Sequence, residues 1–352
     1  MRIIENKNGK ALSSNDYNFV FNKRTGYFAR WGKKEEDDPQ FSPYGPEILD
    51  LEISAGGDCE GNCPFCYKSN GGRQPTKNMT LDEFKEIFHK MPKTLTQIAF
   101  GIMNISTNPD FFEMMEYARQ HGVVPNYTCH GLDMTDEFAD KTAKLCGAVA
   151  VSLLDKNRTY NTIEKLTSRG MSQINIHYML SQETYDRAFE IIDDIVKDPR
   201  LKKFNAIVFL QYKCKGRNPD GFTSVLDPQK YRKLTEYCDS VGVGYGFDSC
   251  SAPIYTQSIQ HRSDRKQLET YVEPCESGLF SSYINCNGYF YVCSFAEEED
   301  SWEKGIDVFA CDDFMKEVWF HPRLMQWRQR LINNDRNCPI YNLEVTTNGI
   351  VV

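Results

Sequence analysis

Between residues 47 and 248 short apolar runs alternate with longer stretches in which apolar positions recur every three or four residues. The runs at 48–53, 97–101, 123–128, 148–153, 173–180 and 206–212 are rich in β-branched and aromatic residues and predict buried strands. The stretches at 80–91, 110–121, 135–145, 160–169, 183–197 and 228–241 predict amphipathic helices. Their ends carry matching signals. Thr80 is placed to cap the first helix with Glu83 reaching back, and Leu81, Phe84, Ile87 and Phe88 form its apolar stripe. The second opens at Pro109 and closes at Gly122, and Asp227-Pro228 opens the sixth. Strand–helix repeats of this kind predict an α/β fold with a parallel sheet, wound as a partial (βα)6 TIM-like barrel or a full one. Right-handed crossovers gather the loops that follow the strands on one face, where barrels carry their chemistry.

The flanks read differently. In 1–46, aromatic runs at 17–22 and 27–31 are separated by Lys23-Arg24-Thr25-Gly26 and predict a hairpin arm, which serves best as a cover for the barrel's underside. Residues 33–46 are charged and then proline-rich, as in a linker. After Asp248 the alternation gives way to cysteines, aromatics and hairpin signals, so 249–352 is expected to be a smaller α+β module rich in cysteine.

Composition narrows the function. With 40% hydrophobic and 26% charged residues among 352, a sizeable core is available and cysteines are not needed to compensate for small size. The net charge of −8 argues against a nucleic-acid partner. No apolar run is long enough to span a membrane, and the first residues do not form a secretory signal, so a cytoplasmic protein without a membrane partner is expected. In a reducing compartment thirteen cysteines are metal ligands where they cluster and small buried hydrophobes where they scatter. Cys129, Cys146, Cys214 and Cys238 fall in the second group.

Cys59, Cys63 and Cys66 stand at Cys-x3-Cys-x2-Cys just after the first strand, in a glycine-rich loop that ends on Tyr67. Three thiolates can hold three irons of a [4Fe–4S] cube and leave the fourth open, since a full set is four. Zinc with a remote fourth ligand is the alternative, although zinc loops favour Cys-x2-4-Cys pairs. The loop resembles the signature of the radical S-adenosylmethionine (SAM) superfamily, and the strand–helix pattern of 47–248 suits that family's barrel. The resemblance implies that SAM chelates the open iron, that an electron from the cluster cleaves it, and that the 5′-deoxyadenosyl radical takes a hydrogen atom from a substrate. It also implies a single-electron donor such as flavodoxin or ferredoxin. Tyr67 is expected near the adenine, with Gly101, Ser152 and His177 as SAM contacts; His177 reads equally as a core histidine, as does His130. The family's Gly-Gly-Glu is represented only by Gly101 in Phe100-Gly101-Ile102-Met103-Asn104, without the acid. The basic loop 213–217 reads as solvated, or as a holder of carboxylate or phosphate.

Cys275, Gly288 and Cys293 resemble the opening of SPASM and twitch modules, which hold auxiliary [4Fe–4S] clusters, and Cys338 resembles a later ligand. The cysteines remaining after Cys293 allow one such cluster. Residues 281–285 and 289–293 are expected to pair as a hairpin, with Cys286 at the tip, roughly 16 Å of strand from Cys293. One cube cannot bridge that span, so the expected set is Cys250, Cys275, Cys293 and Cys338; a set without Cys250, leaving an iron open, is the alternative. A zinc ribbon is the corresponding reading without iron. The resemblance implies a radical oxidoreductase of the maturase type acting on a peptide or protein substrate. A small-molecule radical dehydrogenase and a non-catalytic zinc protein are the alternatives.

Overall fold

The computed structural model describes residues 1–352 except Glu35, Arg73, Asn342, Glu344, Asn348, Gly349 and Val352. The first four strands, β1 (Arg2–Glu5), β2 (Gly9–Ser13), β3 (Asn18–Asn22) and β4 (Phe28–Trp31), form an antiparallel meander. The expected hairpin is β3–β4, with Phe21 opposite Phe28; β1 and β2 add two strands to it.

An α/β unit follows. Strand β5 (Ile48–Glu52) leads into a short ribbon of β6 (Ser54–Ala55) and β7 (Lys77–Asn78). Then come α1 (Leu81–Lys90), β8 (Gln97–Gly101), α2 (Phe111–Gln120), β9 (Val124–Cys129), α3 (Asp136–Leu145) and β10 (Val149–Ser152). These are followed by α4 (Lys156–Thr167), β11 (Ile174–Leu180), α5 (Tyr185–Lys197), β12 (Ala206–Gln211), α6 (Pro228–Val241) and β13 (Tyr245–Phe247). All six expected strands are present and pair in chain order, each parallel to the next, and β13 extends the series as a seventh parallel strand. The capping box of Thr80 and Glu83 is formed. Helix α4 starts earlier than its apolar periodicity indicates, because the Asp155 side chain caps it by accepting from the Arg158 amide.

Alternation along the strands separates two faces. On β11 Ile174, Ile176, Tyr178 and Leu180 are buried in the core, which they share with Leu49, Leu51, Ile98, Phe100, Ile207 and Phe209 of other strands and with Phe84, Met114, Ile163, Ile191 and Leu234 of the helices. The opposite face, with Asp50, Ala99, Thr128, Ser152, His177 and Met179, looks into a cavity.

The remaining elements are α7 (Ala252–Ser258), α8 (Arg265–Glu269), β14 (Ser281–Ile284), β15 (Tyr289–Tyr291), β16 (Ile306–Asp307), α9 (Pro322–Asn333), β17 (Thr346–Thr347) and β18 (Ile350–Val351). The expected hairpin is β14–β15, shorter than its apolar pattern, with Ile284 opposite Phe290. Strand β14 also lies parallel to β5, with Ser281 opposite Ile48, so β14–β15–β16 continue the main sheet beyond its first strand. The sheet ends at β13 on one side and β16 on the other.

The meander packs at the amino ends of the strands. Lys10 Nζ donates to the carbonyls of Lys93 and Leu95 just before β8, and Tyr17 and Phe19 enter the common core. No helix is long and apolar enough to cross a membrane among the described residues.

Candidate active site

The β6–β7 ribbon pinches the two ends of the loop that carries Cys59, Cys63 and Cys66. Inside it, the Cys66 amide donates to the Cys63 carbonyl at 3.2 Å and the Gly71 amide to the Gly56 carbonyl at 2.7 Å, so the loop is held by its own backbone. Burial pushes the Cys63 thiol up to about 11, and the Cys66 and Cys59 sulfurs beside it add to the rise. Such mutual repulsion is what a bound metal centre relieves.

Partners far along the chain fix this loop. Asn104 donates to the Asp58 carbonyl at 2.7 Å and accepts from the Glu60 amide at 3.1 Å. Its Oδ1 also meets His130 Nε2 at 2.8 Å, while His130 Nδ1 accepts from the Leu132 amide, so His130 is a positioned, buried group whose charging burial disfavours. Arg217 donates to Asn62 Oδ1 at 2.6 Å, to the Cys63 carbonyl at 3.1 Å and to the Asn70 carbonyl. The expected solvated basic loop 213–217 is therefore a clamp on the cysteine loop. Gly216 makes the approach: its φ is +87°, and a Cβ would collide with the Cys66 carbonyl oxygen and Tyr67 Cα.

All the barrel-side residues singled out from sequence border one cavity of about 520 Å³: Cys59, Cys63, Cys66, Tyr67, Gly101, Ser152 and His177. Gly101 ends β8 opposite Glu52, and Ser152 ends β10 opposite His177. Burial holds His177 down at about 4, against the pull of Asp248, so it is neutral at pH 7. Tyr67 stacks on Phe295, with ring centroids 4.3 Å apart.

Two ion pairs line the same cavity. Lys68 lies 3.1 Å from Glu52 and also pairs with Glu297. Burial opposes its charge, but the two carboxylates outweigh burial and raise it above an ordinary lysine. Lys213 is buried in the same way; burial opposes its charge, but Asp248 at 2.9 Å and the Cys250 sulfur together outweigh the desolvation and keep it charged. Its Nζ sits 4.5 Å over the Phe295 ring. Glu52, Glu297 and Asp248 were not singled out as site residues from sequence, because each acquires its role only from a partner elsewhere in the chain; Lys213 belongs to the basic loop 213–217, and the carboxylate it meets is that of Asp248.

A second cavity, of about 300 Å³, is bordered by Cys250, Cys275 and Cys338. Burial pushes the Cys293 thiol up to about 12, and the Cys275 and Cys338 sulfurs near it add to the rise, so the fourth sulfur faces the same group. Cys286 stands apart at the β14–β15 turn, where its amide donates to Glu52 Oε2 at 3.3 Å and its sulfur neighbours Glu52 and Lys68. Gly288, at φ +79° in that turn, admits the Phe309 ring where a Cβ would stand. The structure thus gathers Cys250, Cys275, Cys293 and Cys338 and leaves Cys286 outside. Cys129, Cys146 and Cys238 are buried in the core, whereas Cys214 is exposed rather than packed, its sulfur on the Pro219 carbonyl. Among the described residues no three His, Cys, Asp or Glu side chains close around a single ion. Cys59, Cys63 and Cys66 border one cavity and Cys250, Cys275 and Cys338 the other, and all-thiol donor sets of this kind suit an iron–sulfur cluster.

Fold and site define a class: an α/β protein whose parallel strands end on a polar cavity closed by a three-thiol loop, with a second thiol cavity behind it. Solved structures share this fold. SuiB of Streptococcus suis bound to precursor peptide SuiA superposes with a TM-score of 0.67 at 12% identity, covering 93% of this chain and 90% of that one. SuiB bound to S-adenosylmethionine gives 0.65, also at 12%, over 93% and 90%. The protein anSMEcpe with bound AdoMet gives 0.58 at 14%, over 80% and 79%. No family model and no curated protein matches the chain.

Proposed function

We propose that the chain is a radical SAM enzyme of the maturase type that removes a hydrogen atom from a peptide or protein substrate. The observation that carries this reading is the convergence of the Cys59–Cys63–Cys66 loop with Gly101, Ser152 and His177 on a single cavity at the carboxyl ends of the strands. The fold shared with SuiB and anSMEcpe, which were solved with S-adenosylmethionine or AdoMet and with peptides, supports it.

In this reading residues 47–248 are a partial (βα)6 barrel, 1–46 an arm beneath it, and 249–352 a SPASM- or twitch-like module. Cys59, Cys63 and Cys66 hold a [4Fe–4S] cluster, and Cys250, Cys275, Cys293 and Cys338 hold one auxiliary [4Fe–4S] cluster. When bound, the first cluster supplies the electron that cleaves SAM to the radical that attacks the substrate. The chain's own residues do the rest. Asn104, His130 and Arg217 fix the height of the cysteine loop over the cavity. Gly101 leaves room beside β8 for a ligand to lie against backbone, and Ser152 offers a hydroxyl at the end of β10. Neutral His177 can donate or accept a hydrogen bond deeper in the cavity. The stacked Tyr67 and Phe295 close the cavity on the side of the C-terminal module and exclude water. Lys213, between the cavity and Cys250, places a fixed positive charge between the two thiol sets.

The test is anaerobic reconstitution, reduction, and measurement of 5′-deoxyadenosine. Cys63→Ala is expected to abolish its formation. A colourless protein carrying only zinc, or undiminished product from Cys63→Ala, would sink the reading.

A further inference from the structure

Resting on that reading, we propose that Asp50 anchors a cationic side chain of the peptide substrate, a lysine ammonium or an arginine guanidinium, within the cavity. Among the described residues that line the cavity, every other charge already has a partner. Glu52 accepts from the Cys286 amide and pairs with Lys68, and Asp248 pairs with Lys213. His177 is held neutral by burial, and both ring nitrogens of His130 are engaged. Among the described residues Asp50 has neither a hydrogen-bond donor nor a cation, and the one charge that acts on it is the carboxylate of Glu276.

The reason lies in its register. Its neighbours across the sheet are Ala99 on β8, which has no polar group, and Tyr283 on β14, whose hydroxyl turns away to Glu297 and Lys68. Asp50 is the exposed residue of β5, between buried Leu49 and Leu51, and the space it is exposed to is the cavity. The cavity walls around it desolvate the carboxyl and, with Glu276 adding to the effect, push it up to about 7. Once a substrate fills the cavity and displaces its water, a carboxylate there is costly unless a counter-charge arrives with it, and the arriving cation draws the proton off. One occupied cavity thus gains a charge-assisted hydrogen bond that no neutral side chain can supply.

Depth separates this role from the binding of SAM, itself a cation. Asp50 lies two residues before Glu52, which ends β5, hence about 6–7 Å below the strand ends where Gly101 and Ser152 sit. A long side chain entering from the rim has the reach to span that depth.

The experiment is equilibrium binding to the reconstituted holoenzyme with SAM present, using acetyl-lysine methylamide, acetyl-arginine methylamide and acetyl-norleucine methylamide as probes. At least one cationic probe is expected to bind about tenfold tighter than norleucine, and the ratio of the two identifies which cation the site takes. Asp50→Asn should bring the preference within about twofold without lowering the thermal midpoint, and Asp50→Ser serves as a second variant. No preference in the native protein, a preference that survives both substitutions, or SAM affinity falling in place of probe affinity would overturn the inference. SAM cleavage by a protein without cation preference overturns this inference alone. Cation preference without SAM cleavage overturns the enzymatic reading alone.

Discussion

Cys286 and Cys338 are thiols of the same C-terminal segment, and what separates them is company. Cys338 borders the cavity shared with Cys250 and Cys275, and its sulfur accepts from the Tyr341 amide at 3.5 Å. The groups that act on Cys286 are Glu52, Lys68 and Glu297, and none of them is a thiol. Iron analysis should therefore separate them: Cys338→Ala is expected to lose up to about four irons per chain, while Cys286→Ala keeps the native content. The reverse result would reassign the auxiliary set. Spacing along the chain revealed the three-cysteine loop because its ligands are close in sequence. The roles of Asn104 and Arg217 were hidden because their bonds to that loop span 46 and 154 residues. Asp50 was hidden for a different reason: in an alternating strand an inward acid looks like any outward one until the cavity is seen.

At the scale of elements, the turn after β12 shows how a loop becomes part of a site. The Arg217 amide donates to the Cys66 carbonyl at 3.0 Å, and Gly216 makes the close approach that only hydrogen in place of a side chain permits. Gly216→Ala adds left-handed strain of about 1–3 kcal/mol and pushes against the backbone of Cys66 and Tyr67. Iron content and 5′-deoxyadenosine formation should fall, by about tenfold or more for the rate, while far-UV circular dichroism stays native. An unaffected rate would mean that the clamp is dispensable. The strands and helices from β5 to α6, apart from the two-residue strands β6 and β7, were legible because each carries its own periodicity and punctuation. Strand β13 was not, since it has three residues, Gly244 precedes it and Gly246 interrupts it. Strands β1 and β2 were missed because β1 is largely exposed and gives little apolar alternation. The joining of β14 to β5 is a pairing between segments more than two hundred residues apart, which no local pattern records.

Across the whole molecule, Arg30 ties three regions together. Its guanidinium lies 2.9 Å from Glu47, which precedes β5, and 2.7 Å and 2.8 Å from Glu276 and Glu273 of the C-terminal segment, with the Phe280 ring 3.5 Å beneath it. Both Arg30 and Glu47 have almost no exposed side chain, so their charges are out of water and depend on each other. Tyr17 also donates to Glu47, which brings β3's neighbourhood into the same knot. Removing only the cation leaves the buried Glu47 carboxylate with the Tyr17 hydroxyl but without its counter-charge. Arg30→Met should accordingly destabilise the protein by about 3–5 kcal/mol in urea denaturation. Adding Glu47→Gln should recover most of that loss, because a neutral amide keeps a hydrogen-bond partner for Tyr17 without a stranded charge. Glu273 and Glu276 are more exposed and nearer solvent, so their share is smaller. If the double variant is no more stable than Arg30→Met, the guanidinium works through its stacking on Phe280 rather than its charge, and Arg30→Lys would then be as damaging as Arg30→Met. If the double variant recovers, the ion pair is what joins the meander to the sheet. The cavity would then inherit part of its shape from a contact at the opposite end of β5, three residues from Asp50.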